Sequence, residues 1–176
     1  ILLLKTIAFV GGDYRNIKLL QILKNNGYSV KTFGIEKSLE IEENEKYTSL
    51  NDALDDVESV ISSIPFSKDG ENVFMPYSDK IITIEDFKMF TKGKNIIAGN
   101  IIKYYIDEIE ICDECNNKES KLFDIMQKEP FTISNAISTA EGAIQIAMEN
   151  TEITIHGSKI LVLGFGRIGK ILCNRL

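Results

Sequence analysis

Apolar positions follow two alternating rhythms along this chain. The run Lys5-Thr6-Ile7-Ala8-Phe9-Val10 is short and β-prone and stops at Gly11-Gly12-Asp13; Ile17, Leu20 and Leu23 then recur at helical spacing as far as Gly27, a left-handed helix cap. Tyr28 to Phe33 is a second β-prone run, so the opening reads βαβ, a unit that requires a right-handed crossover and a parallel sheet. The acidic stretch Glu36 to Lys46 has no clear period and is expected as a solvated loop or frayed edge strand. A short helix over Ser49 to Asp56 leads into Val57 to Ile64, a buried strand ending at Pro65. Phe66 to Ser78 is broken by Gly70 and Pro76. Ile84 to Phe90 reads as helix and Asn95 to Gly99 as strand, which continues the alternation. Ile101 to Ile111 is mixed, Ser120 to Gln127 predicts a helix, and Phe131 to Ile133 a last short strand.

A better-patterned helix follows, with Ile137, Ile144, Ala147 and Met148 on one face, long enough to bridge two domains. Thr151 to Ser158 is polar, and Lys159 to Leu163 predicts a buried strand before Gly164 and a helix over Arg167 to Leu176. The fold class expected is α/β. A flavodoxin- or Rossmann-like parallel sheet fills residues 1–150, and the first βα unit of a second Rossmann domain occupies residues 151–176. The expectation is therefore of a fragment, inactive by itself.

Composition narrows the function classes. With 44% hydrophobic and 26% charged residues, the chain of 176 residues can bury a real core, which excludes a disordered tail or a fibre. A net charge of -6 leaves no broad basic surface for nucleic acid or anionic membrane, and Ile1 to Val10 is too short to span a bilayer. One histidine and three cysteines do not supply a Cys/His zinc site, and an odd cysteine count argues against a disulfide framework, so a reducing cytoplasm is expected and no metal.

The most specific motif is Gly164-Phe165-Gly166-Arg167-Ile168-Gly169, a G-x-G-x-x-G between an apolar strand and a helix. Gly164 permits the tight turn, Gly166 lets the backbone approach a pyrophosphate, and Gly169 lets helix and strand pack closely. Arg167 adds a cation, and Ile168 offers an N–H of the first turn. The acidic residue that separates NAD from NADP is expected about 20 positions later, beyond Leu176.

The earlier turn Gly11-Gly12-Asp13-Tyr14-Arg15 lacks that spacing. It reads either as a strand-to-helix turn with Asp13 as N-cap, or as an anion site at the carboxyl end of the first strand, with Arg15 and the Gly11 and Gly12 N–H groups holding a carboxylate. Arg15 is one of only three arginines, with Arg167 and Arg175. Ser62 to Ser67 falls on the same sheet edge. There Ser63 and Ser67 either orient a substrate or satisfy a turn. Ser138-Thr139-Ala140-Glu141 has capping-box spacing, read as the start of the bridging helix. The alternative reading has Thr139 donating to a substrate carboxylate and Glu141 acting as base. His156 stands at the far end of a strand, ~15 Å from the pyrophosphate turn at about 3.3 Å per residue, which favours a hinge over catalysis. Cys112-Asp113-Glu114-Cys115 has redox spacing, but its two carboxylates oppose an active thiolate.

Gly11-Gly12-Asp13-x-Arg15, Thr139-x-Glu141-Gly142 and Thr154-Ile155-His156-Gly157-Ser158 running into Gly164-x-Gly166-Arg167-x-Gly169 together resemble the family of dipicolinate synthase A subunits of spore-forming bacteria. Ser138 stands where that family often has proline. The resemblance implies an oxidoreductase that converts 4-hydroxy-tetrahydrodipicolinate, a small dicarboxylate, to dipicolinate in the mother-cell cytoplasm. It also implies NADP, or NAD, as hydride acceptor and the flavoprotein-like B subunit of dipicolinate synthase as partner, with self-association open. Two alternatives stand beside it: an oxidoreductase like the D-2-hydroxyacid dehydrogenases, which share the bridging helix and glycine turn, and a non-catalytic carboxylate-binding module.

Overall fold

The computed structural model describes residues 5–106 and 121–176. They divide into two compact units, Ile1–Ile125 and Met126–Leu176. In the first, β1 (Thr6–Val10), β2 (Ser29–Phe33), β3 (Ser59–Ser62), β4 (Asn95–Ala98) and β5 (Leu122–Asp124) form one sheet in the order β2-β1-β3-β4-β5. Every neighbouring pair is parallel, with Phe9 opposite Thr32 on one side and Ile61 on the other. This is the flavodoxin-like order of a doubly wound fold, whose switch point lies between β1 and β3.

Alternation along the strands sends side chains to both faces. Ala8, Val10, Val60, Ile96 and Ala98 pack with Leu54 of α2 (Leu50–Leu54), with Ile84 and Phe87 of α3 (Ile84–Thr91), and with Phe66. Phe9, Ile61 and Val30 pack on the opposite face with Ile17 and Leu20 of α1 (Tyr14–Asn25). The caps are legible as chemistry. Asp13 accepts from the Arg15 N–H at 3.0 Å, and Asn16 reaches back to the Asp13 N–H in a capping box. At the other end, Gly27 at φ +83° closes α1 with Gly27 N–H to Lys24 O and Tyr28 N–H to Leu23 O, a Schellman pair. The acidic segment after β2 is more ordered than a solvated loop. It buries Ser38, Ile41 and Glu45, and Lys24 of α1 pairs with Glu42 and Glu45.

Three predicted elements differ. The helix expected over Ser120 to Gln127 is not formed by the described residues 121–127: Leu122–Asp124 pairs with β4, and Ile125–Gln127 turns as a 3-10 segment. The backbone hydrogen bonds available at an open sheet edge outweigh local helical propensity there. Phe131 to Ile133 is not a strand but part of α4 (Glu129–Glu149). That helix starts where Pro130, which has no N–H to leave unpaired, occupies its first turn. Lys159 to Leu163 forms no strand, and no strand among the described residues pairs with it. A strand needs a neighbour to satisfy its backbone groups, and without one Leu161 and Leu163 are exposed.

The second unit consists of α4, the Lys159 to Gly166 segment and α5 (Arg167–Arg175). Thr132, Ala136 and Ala140 recur at helical spacing on the buried side of α4, and Gly169 is the buried residue of α5. These small residues allow the two helices to approach closely. The break between units accordingly falls before α4, whereas the sequence pattern places it near Thr151. Among the described residues no helix is long and apolar enough to cross a membrane. The Cys112 to Cys115 motif lies outside the described residues.

Candidate functional site

The two glycine turns differ in what their backbone has left to offer a ligand. In the first, the Gly11 N–H donates to Phe33 O at 2.8 Å and the Gly12 N–H to Phe74 O at 3.2 Å. Both glycines are buried at positive φ, and Met75, from the loop after β3, lies where a Gly11 side chain would begin. The expectation that the Gly11 and Gly12 N–H groups hold a carboxylate is therefore corrected. One donor is used by β2 and the other by the 66–80 loop that covers the turn, a long-range contact that nothing local in the sequence signals.

Arg15 has a structural role as well. Its Nε bonds both Asp13 oxygens at 3.1 Å, and its Nη2 donates to Asp13 Oδ2 at 2.7 Å and to Ile64 O, so it ties the β1 turn to the loop after β3 across the switch point. The guanidinium is still half-exposed, and its Nη1 edge has no protein partner among the described residues. Burial pushes the Asp13 pKa up, but the Arg15 hydrogen bonds and charge, with a weaker pull from Lys68, outweigh it and hold the carboxyl below its ordinary value.

Ser63 and Ser67 are also corrected, to structural hydroxyls. Ser63 Oγ, fully buried, donates to Phe66 O at 3.1 Å, and Ser67 Oγ donates to Asp69 Oδ1 and accepts from the Gly70 N–H, each at 3.0 Å. Asp69 in turn accepts from the Asn72 and Glu71 N–H groups, which lower its pKa strongly, the Asn72 backbone bond first. Asn16, to which the sequence pattern gives no role, helps join the two strand ends: it is buried, and Nδ2 donates to Ser62 O at 3.1 Å, beside the Ser62 Oγ bond to Val10 O at 2.7 Å. Its signal is the capping-box position, three residues after Asp13.

Thr139 and Glu141 do not stand at a helix N-terminus. They lie well inside the 21-residue α4, because the helix begins at Glu129. The capping box expected from Ser138 to Glu141 is absent. Thr139 Oγ1 donates back to Asn135 O at 2.9 Å, and Glu141 pairs with Arg175 of α5; both residues are exposed. His156 is exposed in the turn closed by Ser158 N–H to Ile155 O.

The second turn has the geometry its spacing implies. Gly164 sits at φ +101°, where other residues are strained. A Cβ on Gly169 would fall on the Gly164 carbonyl oxygen, so only glycine lets α5 pack this closely. At Gly166, the N-cap of α5, a Cβ would meet nothing within 4 Å, so the backbone is open to a ligand. The N–H groups of Arg167, Ile168 and Gly169 begin the helix without intrahelical acceptors. This turn forms one wall of a cleft of about 450 Å³ inside the second unit. Val162, Leu163, Ile168 and Leu172 line it on that side; Met126, Thr132, Asn135 and Ala136 line the other. These features meet what a dinucleotide pyrophosphate requires.

Comparison with known proteins identifies the family. The sequence model for the N-terminal domain of the dipicolinate synthase A subunit matches residues 6–126, the greater part of the chain. The chain belongs to that family. It is 25% identical over 177 aligned positions to the dipicolinate synthase A subunit of Bacillus subtilis, which covers 93% of this chain and 54% of the relative. It thus spans about half the length of the curated relative it matches. Two crystal structures share the fold. The A chain of dipicolinate synthase from Bacillus subtilis superposes with a TM-score of 0.71 at 21% identity, over 99% of this chain and 58% of that one. The A subunit from Bacillus halodurans gives 0.75 at 22% identity, over 97% and 58%. The parallel Rossmann-like sheet is common to them.

Proposed function

We propose that this chain supplies the substrate-side domain and the pyrophosphate-binding turn of a nicotinamide-dependent oxidoreductase that forms dipicolinate. The observation that carries the reading is the Gly164 to Gly169 turn, where Gly169 rests on the Gly164 carbonyl and Gly166 is left open. Gly164, Gly166, Arg167, Ile168 and Gly169 hold the pyrophosphate of NADP, or of NAD, whose nicotinamide accepts hydride. Family membership supports the substrate, a cyclic dicarboxylate. 4-Hydroxy-tetrahydrodipicolinate becomes dipicolinate by losing one water and two hydrogens, one as hydride to the nicotinamide and one as a proton to solvent. The half-exposed Nη1 edge of Arg15, at the β1/β3 switch point, takes a substrate carboxylate. Thr139 and Glu141, without a helix N-terminus behind them, are left out of that anchor. The flavoprotein-like B subunit of dipicolinate synthase is the proposed partner, in the cytoplasm of a sporulating cell.

Direct titration of the full chain with NADP and with NAD tests the reading. Saturable binding is expected, and Gly169→Val weakens it at least tenfold, because its side chain displaces the helix from the turn. Absence of saturable binding by the wild type, or equal affinity in the variant, overturns it.

A further inference from the structure

The cleft beside the second glycine turn has one polar side chain on its far wall that no described residue pairs with. Asn135 is half-buried on α4 and lines the cleft with Thr132, Ala136 and Met126 and with Gly164, Gly166 and Arg167 of the glycine turn. Its backbone carbonyl accepts from Thr139, and the Thr132 hydroxyl is committed to Glu129 O at 2.9 Å. The Asn135 carboxamide has no hydrogen-bond partner among the described residues. Asparagine is also a poor choice for a helix interior, where its side chain competes for backbone groups and alanine is favoured. A polar group without a protein partner in a largely apolar cleft that is also lined by the N-terminal turn of a helix is the arrangement by which binding sites orient a ligand.

We propose that Asn135 is a binding residue for the sugar–pyrophosphate part of the dinucleotide, donating from Nδ2 across the cleft while the Gly166 to Gly169 N–H groups hold the opposite side. The inference rests on the cofactor reading above and adds to it a residue outside the glycine motif. It lies one helical turn before Thr139, the residue that the sequence pattern singles out.

NADP and NAD titrations of the full chain with Asn135→Ala and Asn135→Asp test it, with thermal denaturation of the ligand-free proteins alongside. Asn135→Ala is expected to weaken binding about tenfold while the ligand-free melting temperature stays the same or rises, as suits a side chain with no structural partner. Asn135→Asp weakens it further, because a carboxylate then faces phosphate. If the wild type binds and both variants bind with wild-type affinity, the Asn135 assignment is wrong and the cofactor reading stands. If the wild type binds neither dinucleotide, both fall. A fall in melting temperature that accounts for the lost affinity also overturns the assignment, since Asn135 is then structural.

Discussion

At the scale of single residues, Asp13 and Arg15 show how one ion pair serves a fold and a site together. Asp13 caps α1 and holds Arg15, and Arg15 reaches on to Ile64 O across the switch point. Because the folded-state pKa of Asp13 is depressed, the stabilisation it brings is complete above the unfolded value of about 3.9 and is lost as pH falls through the lower folded value. Asp13→Asn keeps a good N-cap and removes the charge. Urea denaturation as a function of pH is expected to show a shallower acid limb for that variant below about pH 5 than for the wild type. Arg15→Met is expected to weaken dipicolinate binding by an order of magnitude, measured by calorimetry; unchanged affinity removes Arg15 from the substrate anchor.

Among elements, the loop after β3 matters most for what the site can do. Phe74 and Met75 close over the first glycine turn, and Phe74 O takes the Gly12 N–H, while the Gly11 N–H is used by Phe33 O of β2. Gly11 stands at φ +68° with a Cβ position 2.6 Å from Met75 Cγ, whereas Gly27 at φ +83° has nothing within 4 Å. Gly11→Ala is therefore expected to lose about 2 kcal/mol or more in urea denaturation, and Gly27→Ala only about 1 kcal/mol, the backbone strain alone. Glu141→Gln removes an exposed pair with Arg175 and is expected to change stability by less than about 1 kcal/mol.

The same elements explain what is legible in the sequence. The β1-α1-β2 opening, the buried strand before Pro65 and the glycine spacing of Gly164 to Gly169 are local patterns, and each has a local physical cause that survives in the structure. The start of α4 is misplaced by the pattern because Ser138-x-x-Glu141 imitates a capping box inside a helix whose true first turn holds Pro130. The edge strand at Leu122 and the covering of Gly11 and Gly12 depend on partners distant in sequence, which no window of residues reveals. Asn135 is invisible for the same reason: only the opposition of α4 and the glycine turn makes it a cleft residue.

Across the whole molecule, the two units divide the work that the proposed chemistry needs. The first unit presents the Arg15 edge of a doubly wound sheet, and the second presents a glycine turn shaped for pyrophosphate. The acidic balance of -6 fits small anions held at local cationic sites and does not fit polyanion binding. The central claim is dicarboxylate oxidation coupled to a nicotinamide. It is tested most directly by an anaerobic assay of the full chain with the proposed flavoprotein-like B subunit, supplied with 4-hydroxy-tetrahydrodipicolinate and NADP or NAD. One reduced nicotinamide is expected for each dipicolinate formed. Dipicolinate appearing without reduced nicotinamide, or no turnover with either cofactor, would contradict it.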